Sequence, residues 1–295
     1  VKNCGGKFMY YVLLFISIIL AVSISCFSNL FSKQILNNNT DIYKYAFLTN
    51  LCSFAVMFCA KTSAAPSFYS LAAAFLFAAL TVLSQYFSMT ALKYGALSIL
   101  TLIQAASMLI PTAFGILCLN EQAAVSQVAG VFLILYSMAL VLNIKKCRIG
   151  RKFLIFAGIS SSVTGVMGIV QSLQQINRSS ELIPFLRLTF FFTMSMNLIL
   201  WQLNRKRSPA TFSIKSRALV IAPLSGVFYG ILNITNLVLA GNLPKFIFFP
   251  VYNGGMILLS MLVSVFLFRE VITKKQWIGI LLSIISICMI GVPVL

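Results

Sequence analysis

The chain has 295 residues, of which 60% are hydrophobic and 9% charged, and its mean hydropathy is +0.99. A water-soluble domain carries roughly 25% charged residues to cover its surface, so this composition excludes a soluble globule and leaves a membrane protein. The formal charge of +18 would suggest nucleic acid in a soluble chain, but here the basic residues lie between apolar runs and no aromatic-basic motif accompanies them, so no nucleic-acid partner is expected.

Runs of about 20 apolar residues are long enough to cross a bilayer. Ten such spans are predicted, near 8–30, 42–60, 67–92, 96–119, 123–143, 153–176, 182–203, 218–240, 246–268 and 276–293. The first has lysines before an apolar core, as a secretory signal does, but it is too long for a signal core and reads as a helix. No connector is long enough for a soluble domain; the largest are the basic stretches Lys145–Lys152 and Arg205–Arg217. Sixteen of the 22 basic residues fall on one side of a ten-span chain and five on the side of the termini, with Arg187 inside a span. Basic connectors stay cytoplasmic, so the expected placement is a multi-pass protein of the plasma (inner) membrane with both termini outside.

The stretch from Leu97 to Leu142 has a second copy from Phe246 to Gly291. Setting Glu121 on Glu270, a shift of 149 residues, also sets Gln127 on Gln276, Gly130 on Gly279 and Ser137 on Ser286 without a gap. A long-period repeat in an apolar chain predicts two similar halves, residues 1–145 and 150–295. Five spans per half is an odd number, so the halves are predicted to be inverted relative to each other. The expected fold is therefore an all-α membrane protein of ten transmembrane helices in two inverted five-helix repeats. Inverted halves have two nearly equivalent packings, one open to each side, which is the basis of alternating access.

These features resemble the drug/metabolite transporter superfamily, of the ten-helix EamA type. The resemblance rests on "ALKYGALSILTLIQAASMLIPTAFGILCLNEQAAVSQVAGVFLILYSMALVL", residues 91–142, and on "FFPVYNGGMILLSMLVSVFLFREVITKKQWIGILLSIISICMIG", residues 248–291. A basic residue early in the second helix of each half falls on Lys44 in "DIYKYAF" and Arg187 in "ELIPFLRLTFF"; lysine at the first departs from the usual arginine. The resemblance implies a solute carrier with a cavity between the halves, lined mainly by spans 1, 3, 4, 6, 8 and 9. It implies no particular substrate.

Polar side chains deep in a bilayer face the bundle interior or a wet cavity. Six amides in those spans pair by repeat position: Asn29 with Gln171, Gln85 with Asn233, and Gln104 with Asn253. They are candidates to hold a neutral or zwitterionic solute, and equally candidates for bonds that only join helices, worth about 0.6 kcal/mol each. Tyr229, Asn233 and Asn236 share one helical face, and Tyr229 offers a ring and a hydroxyl near mid-membrane. Tyr252 beside Asn253, and Tyr86 beside Gln85, are weaker candidates of the same kind. Pro111 and Pro250 each remove a backbone donor inside a helical run. With Gly254 and Gly255 after Pro250, they are candidate hinges, or static kinks. Gly226 and Gly230 form a GxxxG, read as packing within the bundle in preference to a dimer seam, so monomer and homodimer both stand.

The four carboxylates, Asp41, Glu121, Glu181 and Glu270, all sit at span ends, where they anchor helices sooner than relay protons. Histidine is absent, and the seven cysteines, mostly inside apolar runs, read as buried thiols with no metal-binding spacing. No metal, cofactor or catalytic residue is expected. The expected function is export or exchange of a small polar metabolite. Its rivals are a lipid-translocating carrier, an intramembrane enzyme and a structural membrane subunit. A two-aspartate protease is excluded by the single aspartate, and Ser–His or zinc–histidine chemistry by the missing histidine.

Overall fold

The computed structural model describes residues 4–34, 39–60, 64–111, 114, 125–126, 129–130, 132–133, 136–137, 150–207, 216–242, 252, 254–256, 259–260, 262–263, 265–267 and 273–290. Among these residues the chain is all-helical, with no strand. The longer helices are α1 (Cys4–Gln34), α2 (Asn39–Met57), α3 (Phe68–Tyr94), α4 (Leu97–Ala105), α5 (Arg151–Asn177), α6 (Leu182–Arg207), α7 (Ser216–Asn242) and α8 (Lys274–Ile290). Four stretches within them, Met9–Lys33, Phe68–Tyr94, Arg151–Gln174 and Ser179–Asn204, are long and apolar enough to cross a membrane. The expected anchors Glu121 and Glu270 lie outside the described residues.

The radial distribution of side chains is the reverse of a soluble protein's. Phe15, Phe75, Ile155, Ile199 and Phe266 are exposed, while Asn29, Asn50, Ser53, Ser160, Gln174 and Thr193 are wholly buried. Large apolar groups outside and polar groups inside is the arrangement that hydrocarbon surroundings favour. The serine, threonine and asparagine side chains are satisfied in a characteristic way. Many bond the carbonyl four residues back, as Asn50, Thr81, Thr193 and Asn197 do, so each polar side chain finds an acceptor without leaving its helix.

Helix α2 packs against both α6 and α7, α3 against α5 and α6, and α1 against α7. The α2–α7 seam is built on the GxxxG of α7. An added Cβ at Gly226 would lie 2.2 Å from the Thr49 carbonyl oxygen, and one at Gly230 would lie 2.8 Å from Val56 Cβ. Across the same seam Ser53 Oγ donates to the Gly226 carbonyl (2.8 Å) and Thr49 Oγ1 to the Ala222 carbonyl (3.3 Å). The motif is thus occupied inside the bundle.

Contacts between α2 and α6 occur at both ends of the pair. Lys44, near the start of α2, lies over the Trp201 ring near the end of α6 (5.9 Å). Arg187, near the start of α6, lies 4.9 Å from the Phe58 ring and donates to the carbonyls of Met57 and Ala60, where α2 ends. The two helices therefore run antiparallel. A second antiparallel pair brings residues 130–137 against α8: Ser137 Oγ donates to the Gly279 carbonyl and contacts Ser283, and Ser286 Oγ donates to the Gly130 carbonyl.

Helix α4 gives way to a 3₁₀ turn at Ala106–Met108, three residues before Pro111. Pro111 has no amide hydrogen to give the Ser107 carbonyl, so tightening of the preceding turn is the expected response. The turn rests on a glycine shelf of α5. A Cβ at Gly165 would meet Ile110 and the Ser107 carbonyl at 2.5 and 2.8 Å, and one at Gly168 would meet Pro111 at 3.1 Å. Ser161 of α5 donates to the Ile103 carbonyl at 2.8 Å. No unwinding occurs at Gly254 and Gly255: both are helical, and Gly255 lies against Ile18 of α1. Pro250 lies outside the described residues. The cysteines depart from expectation too, since Cys26 is buried but Cys59 and Cys288 are exposed.

Candidate functional site

A cavity of about 290 Å³ lies between α1, α2, α3, α4 and α7. Its walls come from the later part of α1 (Ile24, Ser25, Ser28) and of α3 (Ser84 to Leu92), and from the early part of α2 (Tyr45, Ala46, Thr49). Leu97, Leu100 and Gln104 of α4, with Ser225 and Tyr229 of α7, close it. These are the helix halves nearer Lys33, Lys44 and Lys93, so the cavity sits toward the end of the bundle that carries those lysines.

One wall is an amide–hydroxyl network. Gln104 Nε2 donates to Ser88 Oγ (3.2 Å) and Ser160 Oγ (3.5 Å), and Ser160 Oγ donates to the Ser84 carbonyl (3.2 Å). Ser84 Oγ also lies 3.0 Å from Thr164 Oγ1 of α5. Asn50 Nδ2 donates to Gln85 Oε1 at 3.4 Å. These bonds engage the acceptor of Gln85 and the donors of Gln104. The Gln85 side-chain NH₂ and the Gln104 side-chain oxygen take no part in these bonds, and both residues line the cavity.

The facing wall is a group of hydroxyls. Tyr45, stacked on Phe31 at 4.3 Å, has the side chains of Ser28, Thr49 and Ser225 about its phenol group. Tyr45 is 4% exposed and Ser225 is 1% exposed, and among the described residues neither the phenol oxygen nor Ser225 Oγ has a hydrogen-bond partner in good geometry. Buried polar groups are rarely left in that state without a water or ligand to answer them.

Away from the lysine end, the cavity wall adjoins an apolar plug through Tyr229. Met57, Phe185, Leu186 and Phe190 pack together with Phe54 and Tyr229, and the Tyr229 ring meets Phe190 edge-on at 5.5 Å. Beyond the plug, at the start of α3, Glu181 Oε2 accepts from Ser67 N (2.8 Å), Ser67 Oγ (2.7 Å) and Ser70 Oγ (2.6 Å). Gln174 Nε2 donates to the same Ser70 Oγ at 2.7 Å. The carboxylate thus caps α3 from the turn between α5 and α6.

Of the candidates read from sequence, Gln85, Gln104 and Tyr229 line the cavity. Asn29 is fully buried beside it on α1, and neither of its amide atoms has a partner. Asn233 is half-buried and bonds the Tyr229 carbonyl of its own helix (2.8 Å), and Tyr252 interacts with Asn236 and packs against Leu14, Ile18 and Leu239; neither lines the cavity. Gln171 is exposed and outside it. At that level α3 meets α5 through Ser70, and Gln174, three residues on, takes the interior place. Asn253 lies outside the described residues. Ser28, Thr49, Ser84, Ser88 and Ser225 are cavity-lining positions that a search for amides misses. The visible signal was spacing: Ser25, Ser28, Asn29 and Ser32 recur along one face of α1, and Ser84 and Ser88 along one face of α3.

No family model and no curated protein matches this chain. Among solved structures, 27 chains match. One, described as "Crystal structure of protein", superposes with a TM-score of 0.57 at 13% identity, over 93% of this chain and 97% of that one. The likeness runs almost end to end. It shows a shared fold and nothing about activity.

Proposed function

We propose that the protein is a solute transporter of the EamA type, with ten spans in two inverted five-helix halves, 1–145 and 150–295, and a small polar metabolite as its cargo. The observation that carries the reading is reciprocity. Ser137 bonds the Gly279 carbonyl and Ser286 bonds the Gly130 carbonyl; each residue of the second contact is its counterpart in the first shifted by 149. Lys44 with Trp201 and Arg187 with Phe58 are related in the same way by a shift of 143. When residue i meets j′ and i′ meets j, the two halves are related by a two-fold axis. Both helix pairs are antiparallel, so that axis runs across the helices, in the plane of the membrane they span. Halves related by such an axis can exchange conformations, and the exchange turns a central chamber from one face to the other.

In this reading the described state keeps its chamber toward the basic, cytoplasmic face. The aromatic plug and the Glu181 cap close the opposite side, where the termini lie. The Glu181 carboxylate is engaged by α3, which favours facilitated diffusion or exchange over proton coupling. The test is transport by reconstituted protein in vesicles, first with Gln104→Leu and Asn233→Leu. Gln104→Leu is expected to lower flux while inserting normally, and Asn233→Leu, whose amide bonds its own helix, to lower it less. Normal flux in both, at normal expression, would refute a solute path through these amides.

A further inference from the structure

We propose that the cavity between α1, α2, α3, α4 and α7 binds an uncharged, hydroxyl-rich solute of about monosaccharide or nucleoside size, and that amino acids and other ions are not its ligands. This rests on the transporter reading only in treating the occupant as cargo. Three observations carry it. Among the described residues none of the lining is charged: its polar groups are the hydroxyls of Ser25, Ser28, Thr49, Ser84, Ser88 and Ser225, the phenols of Tyr45 and Tyr229, and the amides of Gln85 and Gln104. An ion leaving water for this chamber would exchange its hydration for neutral dipoles alone, with no counter-charge. A zwitterion needs two.

The free hydrogen-bonding capacity is of mixed sign and sits on opposite walls. Gln85 offers an NH₂ and Gln104 a carbonyl on one side. Tyr45 and Ser225, beside Ser28 and Thr49, contribute hydroxyls to the lining on the other. A solute hydroxyl both donates and accepts, so one chemical group answers all four. The apolar remainder, Ile24, Met89, Leu92, Leu97 and Leu100, suits the C–H faces of a ring. A volume of about 290 Å³ is at the lower end for a ligand site and is too small for a sugar nucleotide.

The test is a thermal-shift and calorimetric panel on the purified protein. Uncharged probes (D-glucose, myo-inositol, uridine) are set against glutamine, lactate and glycine betaine. At least one uncharged probe is expected to stabilise the protein by mass action, and no charged or zwitterionic probe to do so. Tyr45→Phe and Ser225→Ala should each weaken the bound probe roughly three- to tenfold, the fold-change of one neutral hydrogen bond. The melting temperature without ligand should fall by little, because each variant removes one hydroxyl from the Tyr45–Ser28–Thr49–Ser225 group and leaves the others to bond one another. A largest shift from glutamine, lactate or betaine overturns the proposal, as does silence from every uncharged probe or full affinity in both variants. Binding of an uncharged probe with no flux in vesicles would instead retire the carrier reading and leave this one standing.

Discussion

Gly226→Ala probes the seam that holds one cavity wall in place. Ser225 and Tyr229 of α7 reach the cavity only because Gly226 and Gly230, on the adjoining face, let α7 lie directly on α2. The new methyl would fall 2.2 Å from the Thr49 carbonyl oxygen and 2.8 Å from Cys52 Cβ. That is about 1 Å short of van der Waals contact, and the obstacle is backbone, so the helices must part by about that distance. The Ser53–Gly226 bond would stretch from 2.8 Å to about 3.8 Å and the Thr49–Ala222 bond from 3.3 Å to about 4.3 Å, beyond hydrogen-bond range. Two interhelical bonds at about 0.6 kcal/mol each, added to overpacking at about 1–3 kcal/mol, predict a loss of roughly 2–4 kcal/mol. The assay is a double-mutant cycle with Ser53→Ala, read by thermal or denaturant unfolding in detergent. Ser53→Ala should destabilise the parent protein and do almost nothing in the Gly226→Ala background, where its bond is already gone. Gly230→Ala should be milder, since its nearest obstacle, Val56 Cβ, lies at 2.8 Å where Gly226 meets a backbone oxygen at 2.2 Å. Gly226→Ala within about 0.5 kcal/mol of the parent, or Ser53→Ala equally costly in both backgrounds, would refute the reasoning.

Two further outcomes follow from the same contacts. Ser137→Ala and Ser286→Ala should destabilise by similar amounts, about 0.6 kcal/mol each, because each removes a serine donor to a glycine carbonyl across the same helix pair; unfolding curves in which only one variant shifts would contradict the proposed two-fold relation of the halves. Glu181→Gln weakens the acceptor at the start of α3, so hydrogen exchange should rise in residues 68–72 and stay level in residues 274–280. Unchanged exchange at 68–72 would mean that the carboxylate does not hold that end of the helix.

The sequence alone determined what the bilayer and the repeat impose. Apolar runs of spanning length had to be helices, because hydrocarbon offers no other partner for backbone amides. The shift that aligned Gly130 with Gly279 and Ser137 with Ser286 is the shift that relates their bonds in the structure. Gln85, Gln104 and Tyr229 were legible as cavity residues because an amide or phenol deep in a span needs an interior to face. Tertiary structure alone decided the rest. Whether Gln171 or Gln174 points inward depends on which neighbour covers α5 at that level, and here it is Ser70 of α3. Serines that bond their own helix and serines that line a chamber are identical in sequence, since both need only the i−4 carbonyl or an opposite face to be satisfied. The wall of hydroxyls around Tyr45 exists because Ser28, Thr49 and Ser225 are brought together from three helices, and no spacing along one chain encodes that meeting.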